Sequence, residues 1–285
     1  MTLILRTATP EDGKACGTIA FEAFKAVFNR HDFRFDIPSA EAASASVTRK
    51  LTHPAFYGMV AIRNEKIVGS IIVDERGSIA GIDPLTIDPS AQNESVGRRL
   101  MLAFLERSAQ RRFSGIRLVQ AAFYNASLCL YTKLGFETRE PLSKMDGPSL
   151  GIQFPGYTIR PATLHDLMAC NDLCRRVHGH DRGGELQDAV SQGTARVVEH
   201  LGVISGYATD IGISGHAVTD TNTDLKALIG AASSFSGGGF LLPTRNGEVF
   251  RWALQSGLRL VYPMQLMTMG LYNEPAGAYL PSIAY

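Results

Sequence analysis

The chain has almost no net charge: 28 Lys and Arg against 27 Asp and Glu leave a formal +1 over 285 residues. Such a balance supplies no global field to draw nucleic acid or an anionic membrane, so neither is an expected partner and any anion must be bound locally. Long apolar runs are also missing. The opening MTLILRTATPEDG has no basic n-region and no apolar stretch of signal-peptide length, and no later run approaches a membrane span, so a cytoplasmic protein is expected. Cysteine is scarce. Cys16, Cys129, Cys170 and Cys174 form no secreted-type framework, and each falls among apolar neighbours in a segment that reads as helix, so free buried thiols are expected. Core material is plentiful: 45% hydrophobic against 19% charged residues is a globular composition, and the length suits two ordinary domains.

The chain repeats itself. ILRTATPEDGKAC returns as TIRPATLHDLMAC, with Arg6, Thr9 and Asp12 meeting Arg160, Thr163 and Asp166 at an offset of 160 − 6 = 154. MVAIRNEKIVGSIIV is echoed by RVVEHLGVISGYATD, Gly69 meeting Gly206 at 137, and YTKLGF by ALQSGL, Gly135 meeting Gly257 at 122. The falling offset describes a second copy that is shorter but keeps the order. MDGPSLGIQFPG, rich in Gly and Pro, reads as the linker. The boundaries expected are a first domain over 1–146 and a second over 157–285.

Within the first copy the pattern gives a strand, helices, a hairpin, a strand at IAGIDPLTID, a helix from about Ser95, a strand at GIRLVQAAF, a helix and a final strand pair, which is a mixed α/β layer fold. Two stretches carry chemistry. DPSAQNESVG leads from a strand into a helix whose first amides lack partners, with the positive end of the macrodipole behind them, a geometry that holds phosphate oxygens. Gly97 permits close approach, and Arg98 and Arg99 add charge; the same residues equally suit an ordinary helix with Asn93 as N-cap. In YNASLCLYTKLGF, Asn125 can cap a helix that Gly135 stops. Tyr131, one turn before that stop, is either a packing residue or a positioned phenol able to protonate a leaving thiolate.

Together these stretches resemble the GNAT superfamily of acyl-CoA N-acyltransferases, a turn of Q-x-x-G-x-G type followed by N-x-x-x-x-x-Y-x-x-x-G-F. With the repeat, they resemble its tandem two-domain form. The resemblance implies an α/β (α+β) fold of two GNAT-like domains, each a mixed, mostly antiparallel sheet flanked by helices. It implies transfer of an acetyl group from acetyl-CoA to a primary amine of a small molecule by direct attack, with no metal. It assigns Leu85, Thr86 and Ile87 to the pantetheine arm, Gln92, Glu94, Ser95, Val96, Gly97 and Arg98 to the pyrophosphate turn, Asn125 to the pantetheine and Tyr131 to the general acid. This chain departs from the pattern at Glu94 and Ser95, which stand where a basic or neutral residue and a glycine are usual and imply weaker coenzyme binding. The second copy has no such turn in GHAVTDTNTDLKALIG and carries Ala253 where Tyr131 has its counterpart, so it reads as a degenerate GNAT-like domain.

Cys170, Cys174 and His178 share one helix face, but three ligands on successive turns span about 12 Å, too far for one ion, and a core helix stopped by Gly179 is the expected reading. FEAFKAVFNRHDFRFD, which the resemblance places on the acceptor side, either lines an amine pocket or packs. No base is assigned; Asp83 and a bound water are the candidates. A non-catalytic acyl-CoA or metabolite sensor and a coenzyme-free scaffold remain the alternative functions, and a homodimer is compatible with either.

Overall fold

The computed structural model describes residues 2–285. The chain divides into two compact units, one of residues 2–118 with Phe123–Glu137 and Ala284, the other of Val119–Ala122, Thr138–Ile283 and Tyr285. No helix among the described residues is long and apolar enough to cross a membrane.

In the first unit β1 (Ile4–Thr7) leads into α1 (Gly13–Arg30) and α2 (Ala40–Thr52), then the hairpin β2 (Phe56–Arg63) and β3 (Lys66–Asp74), β4 (Ile79–Ile87), α3 (Val96–Arg111), β5 (Gly115–Ala121) and α4 (Asn125–Lys133). The strands run in the order β1-β2-β3-β4-β5, antiparallel except for the parallel pair β4 and β5. The hairpin closes on Asn64 and Glu65, both at positive φ (48° and 64°), the two-residue turn whose twist matches paired strands. α3 packs through Val96, Leu100, Met101, Phe104 and Ser108, all under 6% exposed. Ala103, three residues after Leu100, is only half-buried. Burial of each large side chain contributes about 1.5–3 kcal/mol, so α3 is held by its core face and not by its ends.

β6 (Glu137–Asp146), of the second unit from Thr138 on, is a single ten-residue strand where a strand pair is expected, because no Gly or Asn breaks ETREPLSKMD. β7 (Tyr157–Pro161), α5 (Leu167–His178), α6 (Gly183–Ser191), β8 (Arg196–His200), β9 (Val203–Ala208), β10 (Ala217–Thr219), α7 (Asn222–Ala231), β11 (Phe240–Pro243), α8 (Gly247–Gln255), β12 (Arg259–Gly270) and β13 (Ala278–Leu280) follow. One sheet is ordered β13-β10-β9-β8-β7, antiparallel in every pair; β11 pairs antiparallel with β6.

The repeat is physical as well as textual. Arg6 holds Asp12 through two bonds of 2.7 and 2.8 Å, and Arg160 holds Asp166 through two of 2.8 Å, each carboxylate also accepting the amide of the Thr three residues earlier. The arginine keeps each carboxyl below the usual range, first through hydrogen bonding. In both hairpins the register slips at the same place, between Ala61 and Ile62 against β3 and between Val198 and Glu199 against β9, leaving Val68 and Ser205 as the extra residues. Their carbonyls accept the amides of Asp88 and Asp220, each at 2.9 Å. Both copies also end a helix alike: Gly135 (φ 96°) follows α4 with Phe136 N–H on Tyr131 O at 3.0 Å, and Gly257 (φ 92°) follows α8 with Leu258 N–H on Ala253 O at 3.0 Å.

Three thiols are buried as expected. Burial pushes Cys16 and Cys174 up to about 11 and Cys170 to about 12. Cys129 is exposed, because α4 turns only a narrow stripe inward. A methyl group at position 257 would meet nothing within 4 Å, so Gly257→Ala isolates the cost of the left-handed backbone. The expected loss is about 1–2 kcal/mol in chemical denaturation; a neutral substitution would show that the α8 terminus relaxes away from the observed turn.

Candidate functional site

The turn between β4 and α3 combines two features that a structural helix start avoids. Asn93 and Ser95 both sit in the left-handed region, at φ 66° and 62°, so the backbone takes a shape usual for glycine without glycine. Ser95 occupies the N-cap position but makes no side-chain cap, and Asn93, expected to be the cap, lies two residues too early. The first intrahelical bond runs from Arg99 N–H to Ser95 O at 3.0 Å. No side chain caps the helix, so the amides of Val96, Gly97 and Arg98 head it with the positive end of the helix dipole. Gln92 ties the turn back to β4, its Nε2 donating to Ile87 O at 3.3 Å.

Gly97 has no internal reason to be glycine. Its φ is not positive, and an added Cβ would meet Leu130, Ile87 Cγ1 and Ile87 Cδ1 at 3.5, 3.6 and 3.8 Å, ordinary packing distances. Alanine in a helix is better than glycine by roughly 0.8–1 kcal/mol, so folding alone favours the replacement. The same distances show that the mouth of α3, the end of β4 and α4 converge on this spot.

Glu94 is exposed and ion-paired with Arg63, the last residue of β2. Arg98 and Arg99 do other things: Arg99 donates to Leu3 O at 3.0 Å, and Arg98 is exposed. Arg63 escaped the sequence reading because it lies 31 residues upstream and reaches the turn only through sheet pairing. The pair holds a cation beside the helix mouth and partly neutralises the carboxylate there.

β4 extends beyond its parallel neighbour. Its pairing with β5 runs from Ile79↔Gly115 to Ile82↔Leu118 and includes none of Leu85, Thr86 and Ile87. These three stay paired with β3, at Ile71, Ser70 and Gly69, after a bulge that places an extra residue in β4 around Asp83 and Pro84. Thr86 is buried, with its hydroxyl 3.4 Å from that of Ser70. Asp83 is taken by Lys50, whose Nζ binds both its carboxylate and its carbonyl oxygen.

Asn125 is the first residue of α4 and is exposed; the cap position expected of it belongs to Tyr124, one residue earlier. Tyr131, two turns on, is 8% exposed and lies 6.0 Å from Phe136, ring centre to ring centre. Burial raises the phenol well above its ordinary value, with a smaller contribution from the Tyr124 phenol. Among the described residues no hydrogen bond to its hydroxyl is made, so the proton has no competing protein acceptor.

The second unit handles the equivalent place differently. Asp88 and Asp220 are matched by their bonds to the two bulges, at an offset of 220 − 88 = 132, yet the helices that follow start at Val96 and Asn222, an offset of 126. Six residues have gone, and they are the turn. α7 is instead closed by Thr221, whose hydroxyl accepts Asp224 N–H at 3.2 Å, while Asp224 accepts Thr221 N–H at 3.0 Å and the Ser205 hydroxyl. A buried carboxylate thus sits where phosphate would need to be. A cleft of about 210 Å³ elsewhere in this unit is lined by Glu140, Arg245, Glu274 and Tyr279, with Arg245 engaging both glutamates. Cys170 and Cys174 belong to a core cluster with Leu173, Val177 and Leu186.

Residues 54–138 match the family model described as an acetyltransferase (GNAT) domain. A protein named IAA acetyltransferase from Azospirillum brasilense is 26% identical over 108 residues, which is 37% of this chain and 71% of that protein. The fold is that of a Pyrococcus horikoshii protein described as an acetyltransferase, at 17% identity and TM-score 0.73 over 99% of this chain and 92% of that one. It is also that of a tandem GNAT protein from the clavulanic acid biosynthesis pathway, at 11% identity and TM-score 0.56 over 94% and 98%.

Two substitutions test the turn. Gly97→Ala is expected to leave thermal stability unchanged or raise it while weakening CoA binding by at least ~10-fold, as read by calorimetry; parallel losses would make Gly97 a packing residue. Glu94→Gln removes a like charge from the phosphate position. Because Glu94 is exposed, the expected gain in CoA affinity is only about 1 kcal/mol, roughly 5-fold, shrinking as salt rises. Tighter binding by the native glutamate would instead show that the carboxylate, through Arg63, helps to organise the site.

Proposed function

We propose that this chain, which carries a GNAT acetyltransferase domain within a tandem GNAT fold, transfers an acetyl group from acetyl-CoA to a primary amine of a small molecule. The observation that carries the reading is the mouth of α3: uncapped amides, a left-handed turn and a glycine that packing does not require, all facing the helix that holds Tyr131. The pyrophosphate lies on the amides of Val96, Gly97 and Arg98, with Gln92, Glu94 and Ser95 shaping the turn. The pantetheine arm follows Leu85, Thr86 and Ile87 past Asn125. Residues 1–146 form the coenzyme-binding domain. Residues 157–285 form a GNAT-like domain that has given up the phosphate turn.

The neutral amine attacks the thioester carbonyl carbon; the C–N bond forms, the C–S bond breaks, and the surplus amine proton leaves to solvent. The thiolate develops beside the Tyr131 hydroxyl. An ordinary alkyl thiol such as cysteine titrates near about 8.5, below a buried phenol, so Tyr131 chiefly donates a hydrogen bond to the departing sulfur, and solvent supplies the net proton. Because burial raises this phenol, it stays protonated throughout the range in which the amine loses its proton. Turnover is therefore expected to rise with pH as the amine deprotonates, without a falling limb below pH ~10. Tyr131→Phe should leave CoA affinity nearly unchanged and slow thiol release by about 100- to 1,000-fold, the effect of removing one such donor. An unaltered rate would make Tyr131 a packing residue.

A further inference from the structure

The C-terminal end of α1 and the start of α4 bring together an unusual number of incompletely buried rings. Past its last turn, α1 folds back on itself: His31 is the C-cap, Asp32 takes a left-handed φ of 57°, and Phe33 N–H returns to Phe28 O at 3.0 Å. This turn stacks Phe33 on Phe123 at 4.2 Å and 19°, with His31 5.4 Å from Phe123 and 6.3 Å from Tyr124. Phe28 anchors the group from beneath, edge-on to Phe123 at 5.3 Å. Phe28 is buried, whereas His31, Phe33, Phe123 and Tyr124 are each only half-buried, so the rings are packed against one another yet present a face to solvent. A cluster of half-buried rings offers partly open faces that a ligand's ring can cover.

The wall is joined to the candidate catalytic residue. Tyr124 is the N-cap of α4, and Tyr131, seven residues on, returns to the same helix face after two turns. The groups follow one another by contact: the Tyr124 phenol acts electrostatically on that of Tyr131, the His31 imidazole lies 6.3 Å from Tyr124, and Phe123, stacked on Phe33, lies 5.4 Å from His31. That is the order in which a molecule with a polar head and an aromatic tail would meet them. A cationic or neutral amine is well received among ring faces and hydroxyls, whereas the acyl part of a thioester brings no group that needs them.

We infer, resting on the acetyl-transfer reading above, that the acceptor is an arylalkylamine whose ring lies on the wall of His31, Phe33, Phe123 and Tyr124 and whose amino group reaches the thioester beside Tyr131. Aliphatic amines of similar size fill the same space but lose the ring-to-ring geometry.

Thiol release from acetyl-CoA with phenethylamine, 2-cyclohexylethylamine and propylamine tests this. The expected kcat/KM order is phenethylamine, then 2-cyclohexylethylamine, then propylamine, with the first exceeding the second by about 2- to 13-fold, the range of ring-pairing beyond area burial. Phe33→Leu should reduce the ratio of phenethylamine to propylamine by a similar factor. In parallel, saturation-transfer NMR reads phenethylamine bound to the CoA-loaded protein with no turnover required. A phenethylamine preference that is absent or inverted in the native protein overturns the inference, as does a ratio that Phe33→Leu leaves unchanged. So does faster reaction of benzoyl-CoA with propylamine than of acetyl-CoA with phenethylamine, which would put the ring on the acyl side. If no amine releases thiol but phenethylamine binds and Phe33→Leu weakens it, the wall stands and acetyl transfer falls. If it neither reacts nor binds, the wall falls.

Discussion

The structure of the candidate site depends on one arrangement, a helix start whose amides are not used by the protein. α3 can leave them so because its stability comes from Val96, Leu100, Met101 and Phe104 buried on the sheet, not from its terminus. An N-cap is typically worth ~1 kcal/mol, a modest sacrifice against several buried side chains. The left-handed Asn93 and Ser95 keep side chains away from the amides, and Gly97 keeps the approach open. α7 shows the same fold without that arrangement: six residues shorter at the turn, its Asp224 amide goes to the Thr221 hydroxyl and the Asp224 carboxylate accepts the Thr221 amide. The two copies of one architecture therefore differ in a single loop, which leaves the first amides of α3 open and closes the start of α7 with its own side chains.

The glutamate in that turn is intelligible on the same terms. A helix N-terminus favours a carboxylate electrostatically, and the pairing with Arg63 adds a cation that the turn itself does not supply. Arg63 thus stands at the edge of the site in a position to exchange one anion for another. The net effect is a mouth less positive than a basic, glycine-rich turn.

Much of this was legible in the sequence because it is local. The recurrence of Arg6, Thr9 and Asp12 as Arg160, Thr163 and Asp166 and the Gly135 stop each involve residues at most six apart, so their spacing carries the geometry, although the ion pairs themselves show only in the fold. The tandem GNAT fold was legible for the same reason, through the repeat and the paired motifs. What escaped was set by distance or by orientation. Arg63 meets Glu94, and Lys50 meets Asp83, only after strands and helices assemble. Asn93 and Asn125 have the chemistry of caps, but backbone conformation placed Ser95 and Tyr124 at those positions. The apolar neighbours of Cys129 did not reveal that it points outward.

Amide hydrogen exchange with and without CoA distinguishes phosphates held on the mouth of α3 from phosphates held on that of α7. Slower exchange at Val96, Gly97 and Arg98 with no change from Thr221 to Asp224 is the predicted result. Protection at Thr221 to Asp224, or none at Val96 to Arg98 in protein saturated with CoA, would contradict it.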